Sequence, residues 1–323
     1  MKNLLSILLV SIILMGCSEK RLFFDELTNR GDNTTFLMYY EGDLYGGVGF
    51  EVHPNGQLEF ELNFKDGKQD GSQKKWYENG QLEDEFNFKD GEIEGLQKSW
   101  HRNGQLSFEG FLEGGMKEGL FKEWYENGQL KEERNFKNNR KEGLFKNWFG
   151  NGQLKEEGNY KDDEKDGLFK EWYENGKLDM KGNYKDGIKD GLWKKWYENG
   201  QLRSEENFKD GIKDGLWKYW DENGQLSSEA NYKDGQEDGL QRRWYKNGQL
   251  NFETNYKDGI KDGLWKYWYE NGKLNYVWNY KDGEKDGLHK YWLENDKLWY
   301  IINYKDGKKI SEKRWNKDGK RIY

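Results

Sequence analysis

A glycine recurs every 24 residues, from Gly47 to Gly287, with no insertion or deletion between. Eleven units follow from it, and the other fixed positions keep the same period. Five residues after the glycine stands tryptophan, from Trp76 to Trp292, with Val52 in the first unit. Eleven residues after it stands leucine, from Leu58 to Leu298. Seventeen after it stands Phe or Tyr, with Leu112 the exception. So strict a period means that each unit is one supersecondary piece, able to bury its apolar side chains only against its neighbours.

The turn residues identify that piece. Asn-Gly lies at the centre of ten units, and Asn295-Asp296 replaces it in the eleventh. Asn-Gly between apolar runs is the strongest short hairpin signal. A second Gly- and Asp-rich turn, such as DGIKDG at 210–215, separates the units. Two glycine turns per unit leave no run long enough for a helix. In the stretch DGLWKKWYENGQL, strand one is expected near 191–197 and strand two near 201–209. A three-residue loop, Glu198-Asn199-Gly200 with Gly200 left-handed, places Leu192, Trp196, Leu202 and Phe208 on one face. These four are the expected repeat core, with Trp193, Lys195, Tyr197, Arg203 and Glu205 facing away. The expected fold is all-β, an elongated single-sheet meander of about eleven hairpins. With strands ~4.8 Å apart, the sheet would run on the order of 100 Å.

The ends differ from the middle. Residues 1–16 carry one lysine and an apolar run, then Gly16-Cys17, which reads as a secretory signal. Leu14-Met15-Gly16-Cys17 resembles the bacterial lipobox. That resemblance implies cleavage before Cys17, acylation of its thiol, and a membrane lipid as a partner. Cys17 is the single cysteine, which excludes an internal disulfide. Residues 17–33 are expected to be a tether, 34–46 an N-terminal capping strand, 47–310 the repeats and 311–323 a C-terminal cap. The expected location is extracytoplasmic, on a bacterial membrane, with the outer membrane or cell surface favoured in a diderm cell.

Little of the chain offers chemistry. A net charge of −7 argues against nucleic acid as a partner. There is no phosphate-binding GK[ST] loop and no HExxH. HRN at 101–103 resembles part of a kinase loop, but its Asn-Gly is the repeat's own turn. His53, His101 and His289 each substitute within a repeat column, which favours structural roles. The acids of KDGIKDG fit turn chemistry better than calcium, because they lack alternating spacing. No cofactor, metal or catalytic residue is expected. A basic residue three positions after the glycine in ten units, from Lys74 to Lys290, and glutamate fourteen after it in most units, read as solvated strand surface. Arg30-Gly31-Asp32 is an isolated adhesion-type tripeptide.

The last two units break the pattern. On the register above, Trp265, Tyr267, Tyr269 and Val277 share the second face with His289, Tyr291, Leu293, Trp299 and Ile301. Most other units place charges there. An apolar patch of that size marks contact with a protein partner or a second copy.

The pattern DGLWKKWYENGQLRSEENFKDG resembles the variant MORN repeat, over residues 47 to about 320. That repeat type occurs in bacterial proteins labelled YwqK-type antitoxins. The resemblance implies a β-meander scaffold that binds proteins, self-associates or lies near membranes. The function expected is a non-catalytic, lipid-anchored cell-envelope scaffold for protein interaction or adhesion. The alternatives are an antitoxin-like inhibitor that binds a toxin, and an aromatic-lined glycan or choline binder.

Overall fold

A computed structural model describes residues 20–29 and 38–322; Cys17 and the Arg30-Gly31-Asp32 tripeptide lie outside them. The described chain is almost entirely β and divides after Gly128 into two compact units. Within each unit the strands pair antiparallel with their sequence neighbours, hairpin after hairpin. The all-β meander of 24-residue hairpins is therefore the fold.

The two turns of a repeat are built differently. At the Asn-Gly turn, Gly200 N–H donates to Tyr197 O (2.8 Å) and Tyr197 N–H to Gln201 O (2.9 Å). That is the expected three-residue loop, with Gly200 left-handed at φ 92°. Asn199 fixes the turn by accepting from Gln201 N–H and donates across to Glu222 O in the following repeat. At the Asp-Gly turn, Asp210 (φ 49°) and Gly211 (φ 79°) are both left-handed, a two-residue primed turn between Lys209 and Ile212. Asp190 accepts the Asp210 N–H, so these acids cap turns in successive repeats.

The register departs from expectation at one residue. Trp196 pairs with Leu202, but Lys195 pairs with Ser204, which leaves Arg203 as an extra residue in a bulge. Beyond it Trp193 faces Glu206, Leu192 faces Asn207 and Gly191 faces Phe208. The expected core stripe is thereby split. Leu192, Trp196 and Leu202 lie on one face, where Leu192 is 41% exposed. Phe208 lies on the other face with Trp193, which is fully buried. A one-residue insertion in a period-two strand reverses every side chain beyond it.

The buried column is therefore the residue two after each opening glycine, including Phe145, Phe169, Trp193, Trp217, Trp265 and His289. Each ring lies between the aromatic residues seventeen after the glycine. Phe169 meets Tyr160 and Tyr184 edge-on at 5.8 and 5.1 Å, and Tyr184 meets Trp193 at 4.9 Å. Lysines of the Asp-Gly turn cover the rings: Lys189 lies 4.3 Å from the Trp193 ring centre, and Lys213 4.2 Å from that of Trp217. The indole N–H of Trp193 donates to Asn183 O (3.1 Å), as that of Trp217 does to Asn207 O (2.8 Å). Gln73 and His289 make the same bond, to Asn63 O and Asn279 O. An asparagine sixteen after the glycine recurs in ten units, and side chains such as Asn135 and Asn231 donate to Leu144 O and Leu240 O of the next repeat. Sequence reading passed over this column because asparagine has no place in an apolar pattern.

The opposite, ladder face carries the charges. Lys170 meets Glu157 (2.8 Å), Lys194 meets Glu205 (2.6 Å) and Lys266 meets Glu253 (3.1 Å). The basic and acidic columns are thus ion-paired across strands, each pair being worth ~0–1 kcal/mol at such exposure.

Both ends differ from the repeats. Residues 21–29, expected within a tether, are ordered. Arg21–Phe23 pairs parallel with Gly47–Val52, Phe24–Glu26 forms a 3-10 turn and Thr28–Asn29 pairs with Met38–Tyr40. Gly49 occupies the ring column of the first repeat, and Leu27 lies over it beside Met38, Tyr45 and Phe64. That contact explains the order: Leu27 fills the place of the missing ring. At the other end Lys308–Arg314 pairs with Leu298–Lys305, and Trp315 bridges to Arg321.

Some of the rings require glycine as their neighbour. A Cβ at Gly182 would lie 2.1 Å from the Trp193 ring, and one at Gly158 2.5 Å from Phe169. Where Phe86 replaces this glycine, Gln97 replaces the ring. Gly182→Ala should therefore cost about 1–3 kcal/mol through overpacking, seen as faster amide exchange around Asn183 and Leu192. Adding Trp193→Gln should restore protection; a Gly182→Ala chain with unchanged exchange would refute that requirement.

Candidate interaction surface

The packed face has a row that changes character along the chain. It runs beside the ring column and takes the residues four and thirteen after each glycine. Cross-strand pairing joins Asn147 to Glu156, Glu156 to Glu171 and Glu171 to Met180. The row continues through Lys195, Ser204, Tyr219, Ser228 and Arg243. It ends in Phe252, Tyr267, Tyr276, Tyr291 and Tyr300. Within the second unit it thus passes from acidic to aromatic, on a frame whose glycine, asparagine and turn columns barely change.

The acidic end sets two carboxylates opposite one another, an unfavourable arrangement for a sheet. Burial, and then the neighbouring Glu156, push the Glu171 carboxyl above its ordinary range. Glu156 is drawn to Lys165 at 3.2 Å. Phe149, Trp172 and Tyr173 line a cleft beside the two acids.

The aromatic end is a ribbon of stacked rings. Tyr267 and Tyr276 stack at 4.2 Å, Tyr276 and Trp278 at 4.4 Å, and Tyr291 and Tyr300 at 4.0 Å. Tyr276 bridges to Tyr291 at 5.7 Å, and Phe252 meets Tyr267 at 5.5 Å. Burial, with the adjacent phenols, raises the hydroxyl pKa of Tyr276 and Tyr291. Both remain neutral donors and acceptors at physiological pH. All five ring positions of the row are half-buried, which leaves them partly open to a partner.

The expected patch is only partly brought together. Tyr267 and Tyr291 belong to the ribbon. Trp265 and His289 lie beside it in the buried ring column. Val277 and Ile301 pair with Lys266 and Lys290, so they belong to the ladder face. Tyr269 is at the turn edge, where its hydroxyl donates to Trp292 O (2.9 Å), and Leu293 flanks the next turn through a bond to Lys297. Trp299 is the bulge residue and is 49% exposed. Phe252, Tyr276, Trp278 and Tyr300 were missed. The bulge that reverses the register is responsible, and an aromatic run such as NYVWNY at 275–280 was the available signal.

No group of three or more metal-ligating side chains occurs among the described residues. His53 and His101 donate through Nε2 to Trp76 O and Trp124 O, the bond that Tyr173 and Tyr197 make in other repeats. No helix among the described residues is long and apolar enough to cross a membrane.

His289 is the exception among the buried rings, because it can take up a proton. It stacks on Trp278 and packs against Tyr304 at 4.7 Å, and its Nδ1 is buried without a partner. Burial, aided by Lys285 and opposed by the bond to Asn279 O, lowers its pKa. The folded state therefore binds this proton less readily than the unfolded chain, whose value is about 6.5. Its stabilising contribution is full above that value and declines as pH falls toward the folded pKa. Amide protection in the last two repeats should thus fall between pH 7.5 and pH 5, and His289→Gln should remove that part of the dependence. An identical pH profile in the variant would contradict this.

Comparison with known proteins places the chain. The family model of the MORN repeat variant matches eleven segments: 45–66, 69–90, 93–112, 117–138, 141–162, 165–186, 189–210, 213–234, 237–258, 261–282 and 285–306. No curated protein matches. Among solved structures, the TcdB2–TccC3 complex matches with 12% identity and a TM-score of 0.20, over 91% of this chain and 18% of that one. The Photorhabdus luminescens Tc holotoxin pore with the TccC3-D651A mutation also matches, with 12% identity and a TM-score of 0.19, over the same shares. The chain spans 18% of the length of these structures. With eleven matched segments in register with its hairpins, the chain belongs to the MORN repeat variant family.

Proposed function

We propose that this protein is a non-catalytic docking scaffold that meets a protein partner through the aromatic row of its packed face. The observation that carries the reading is the gathering of one row's side chains into a continuous, half-exposed aromatic ribbon on a regular frame. The glycine, asparagine and turn columns that build the sheet stay nearly uniform, because each repeat packs on the next. A row free to change from Glu156 and Glu171 to Tyr276 and Tyr291 can carry partner identity. Tyrosine suits that role, since it offers apolar area together with a hydroxyl at low entropic cost. Stacking at 4.0–4.2 Å engages the ring faces with one another, which favours a polypeptide over a sugar ring needing a free aromatic face.

In this reading Cys17, acylated at its thiol, holds the scaffold on the bacterial envelope. Several acyl chains at ~0.8 kcal/mol per buried methylene would anchor it firmly. The Leu14–Cys17 motif is the support for this part. The anchor leaves the repeats free to reach a partner in the envelope or on another cell.

Serine already occupies the row at Ser204 and Ser228, so Tyr276→Ser with Tyr291→Ser should keep the fold. Crosslinking capture from intact cells, with the protein as bait, should lose its partner about tenfold or more in this double variant. Capture at the parental level would sink the docking face. Capture of a small toxic protein would point to inhibition through the same face. Separately, Cys17→Ser should abolish labelled-palmitate incorporation and move the protein from the membrane to the soluble fraction. Unchanged labelling would refute the anchor.

A further inference from the structure

The ring column ends abruptly. In most repeats before the C-terminus, the residue fifteen after the glycine is covered by a ring on the following strand, with Gln73, Gln97 and Gln241 the exceptions. Trp278 lies under His289 in this way, and Gly182 under Trp193. The last such residue is Ile302, and its partner on the final strand is Glu312 rather than a ring. Lys309 (2.9 Å) and Arg314 both bond to the Glu312 carboxylate. Upstream, the equivalent Lys285 lies instead over the rings of Trp278 and Tyr304. A cleft of about 380 Å³ remains, with Tyr300, Ile302 and Tyr304 on the packed face, Trp299 as a wall and the three charged groups at its edge. That volume is within the range of small-ligand sites.

We propose that this cleft receives an indole side chain of the docked protein partner. The proposal rests on the docking reading above and names what the partner inserts. The molecule itself supplies the template. In the same position in several upstream repeats, an indole or phenyl ring packs against a tyrosine and beneath a lysine, as Trp265 does with Tyr280 and Lys261. Here the tyrosine (Tyr304) and the lysine (Lys309) are present, and the ring is not. Two cations against one carboxylate leave the rim net positive, so the inserted ring should carry no positive charge nearby. The cleft also continues the ribbon directly, since Tyr291 stacks on Tyr300.

N-acetyl-tryptophanamide, indole-3-acetate and tryptamine can be titrated into the full chain by calorimetry and ligand-observed NMR. We expect saturable binding of the first two at one site, with tryptamine weakest. Ile302→Trp copies Trp278 and fills the cleft from within. It should weaken N-acetyl-tryptophanamide at least about tenfold and reduce partner capture in parallel. Trp299→Ala alters only the exposed wall and should weaken binding too, which guards against a folding defect in the first variant. Absence of saturable indole binding, tryptamine binding as tightly as indole-3-acetate, or full affinity in both variants would overturn the proposal. Lost indole binding with undiminished partner capture would also overturn it, because the partner would then dock on the ribbon without inserting a ring. Docking itself fails only if the tyrosine double variant retains capture.

Discussion

The edge-to-face packing of rings along one face is the interaction on which the rest depends. Most domains bury an apolar face between two layers. Each repeat beyond the first offers a single layer of strands, so its rings have only their strand neighbours to pack against. Phe145, Tyr160, Phe169, Tyr184 and Trp193 accordingly interlock in sequence, each turned about 80° to the next. Such pairs contribute ~0.5–1.5 kcal/mol each beyond the area they bury. Lysines close the exposed side of the column: Lys165 lies over both Phe169 and Tyr184. The same residues that make the chain look highly charged thus shield its core.

At some positions that column leaves room only for glycine beside it. Trp193 needs Gly182 beneath it, and Phe169 needs Gly158. Polar groups follow the same geometry. An indole, an imidazole or a glutamine amide donates to the asparagine carbonyl alongside, which lets Gln73 replace Trp193 without orphaning that acceptor. The asparagine side chains then tie each repeat to the next. These contacts are local, so repeats tolerate change one at a time, and the row beside the rings accepts residues as different as serine, glutamate and tyrosine.

That row connects structure to function. Its acidic part opposes Glu156 to Glu171, against sheet stability. Its aromatic part groups phenols whose pKa values are raised by burial. Neither arrangement is needed to form a hairpin, since serine serves the same position at Ser204 and Ser228. A partner reading this face would find the difference between repeats presented on a regular lattice, with the open end of the ring column beyond Tyr300.

Sequence periodicity by itself determined the repeat, the turns and the strand identity, because glycine spacing and Asn-Gly chemistry are local constraints. Even the left-handed Gly200 and its three-residue loop followed from that chemistry. The tertiary structure decided which face is buried. One additional residue, Arg203, sits in a bulge that apolar periodicity cannot reveal, since a charged side chain in a strand looks the same whether paired or extra. The bulge transfers Phe208 to the face of Trp193, leaves Leu192 exposed and divides the expected patch between two faces. The order of residues 21–29 was likewise hidden: Leu27 is needed only because Gly49 leaves a gap in the ring column, and that gap exists only once the strands are laid side by side.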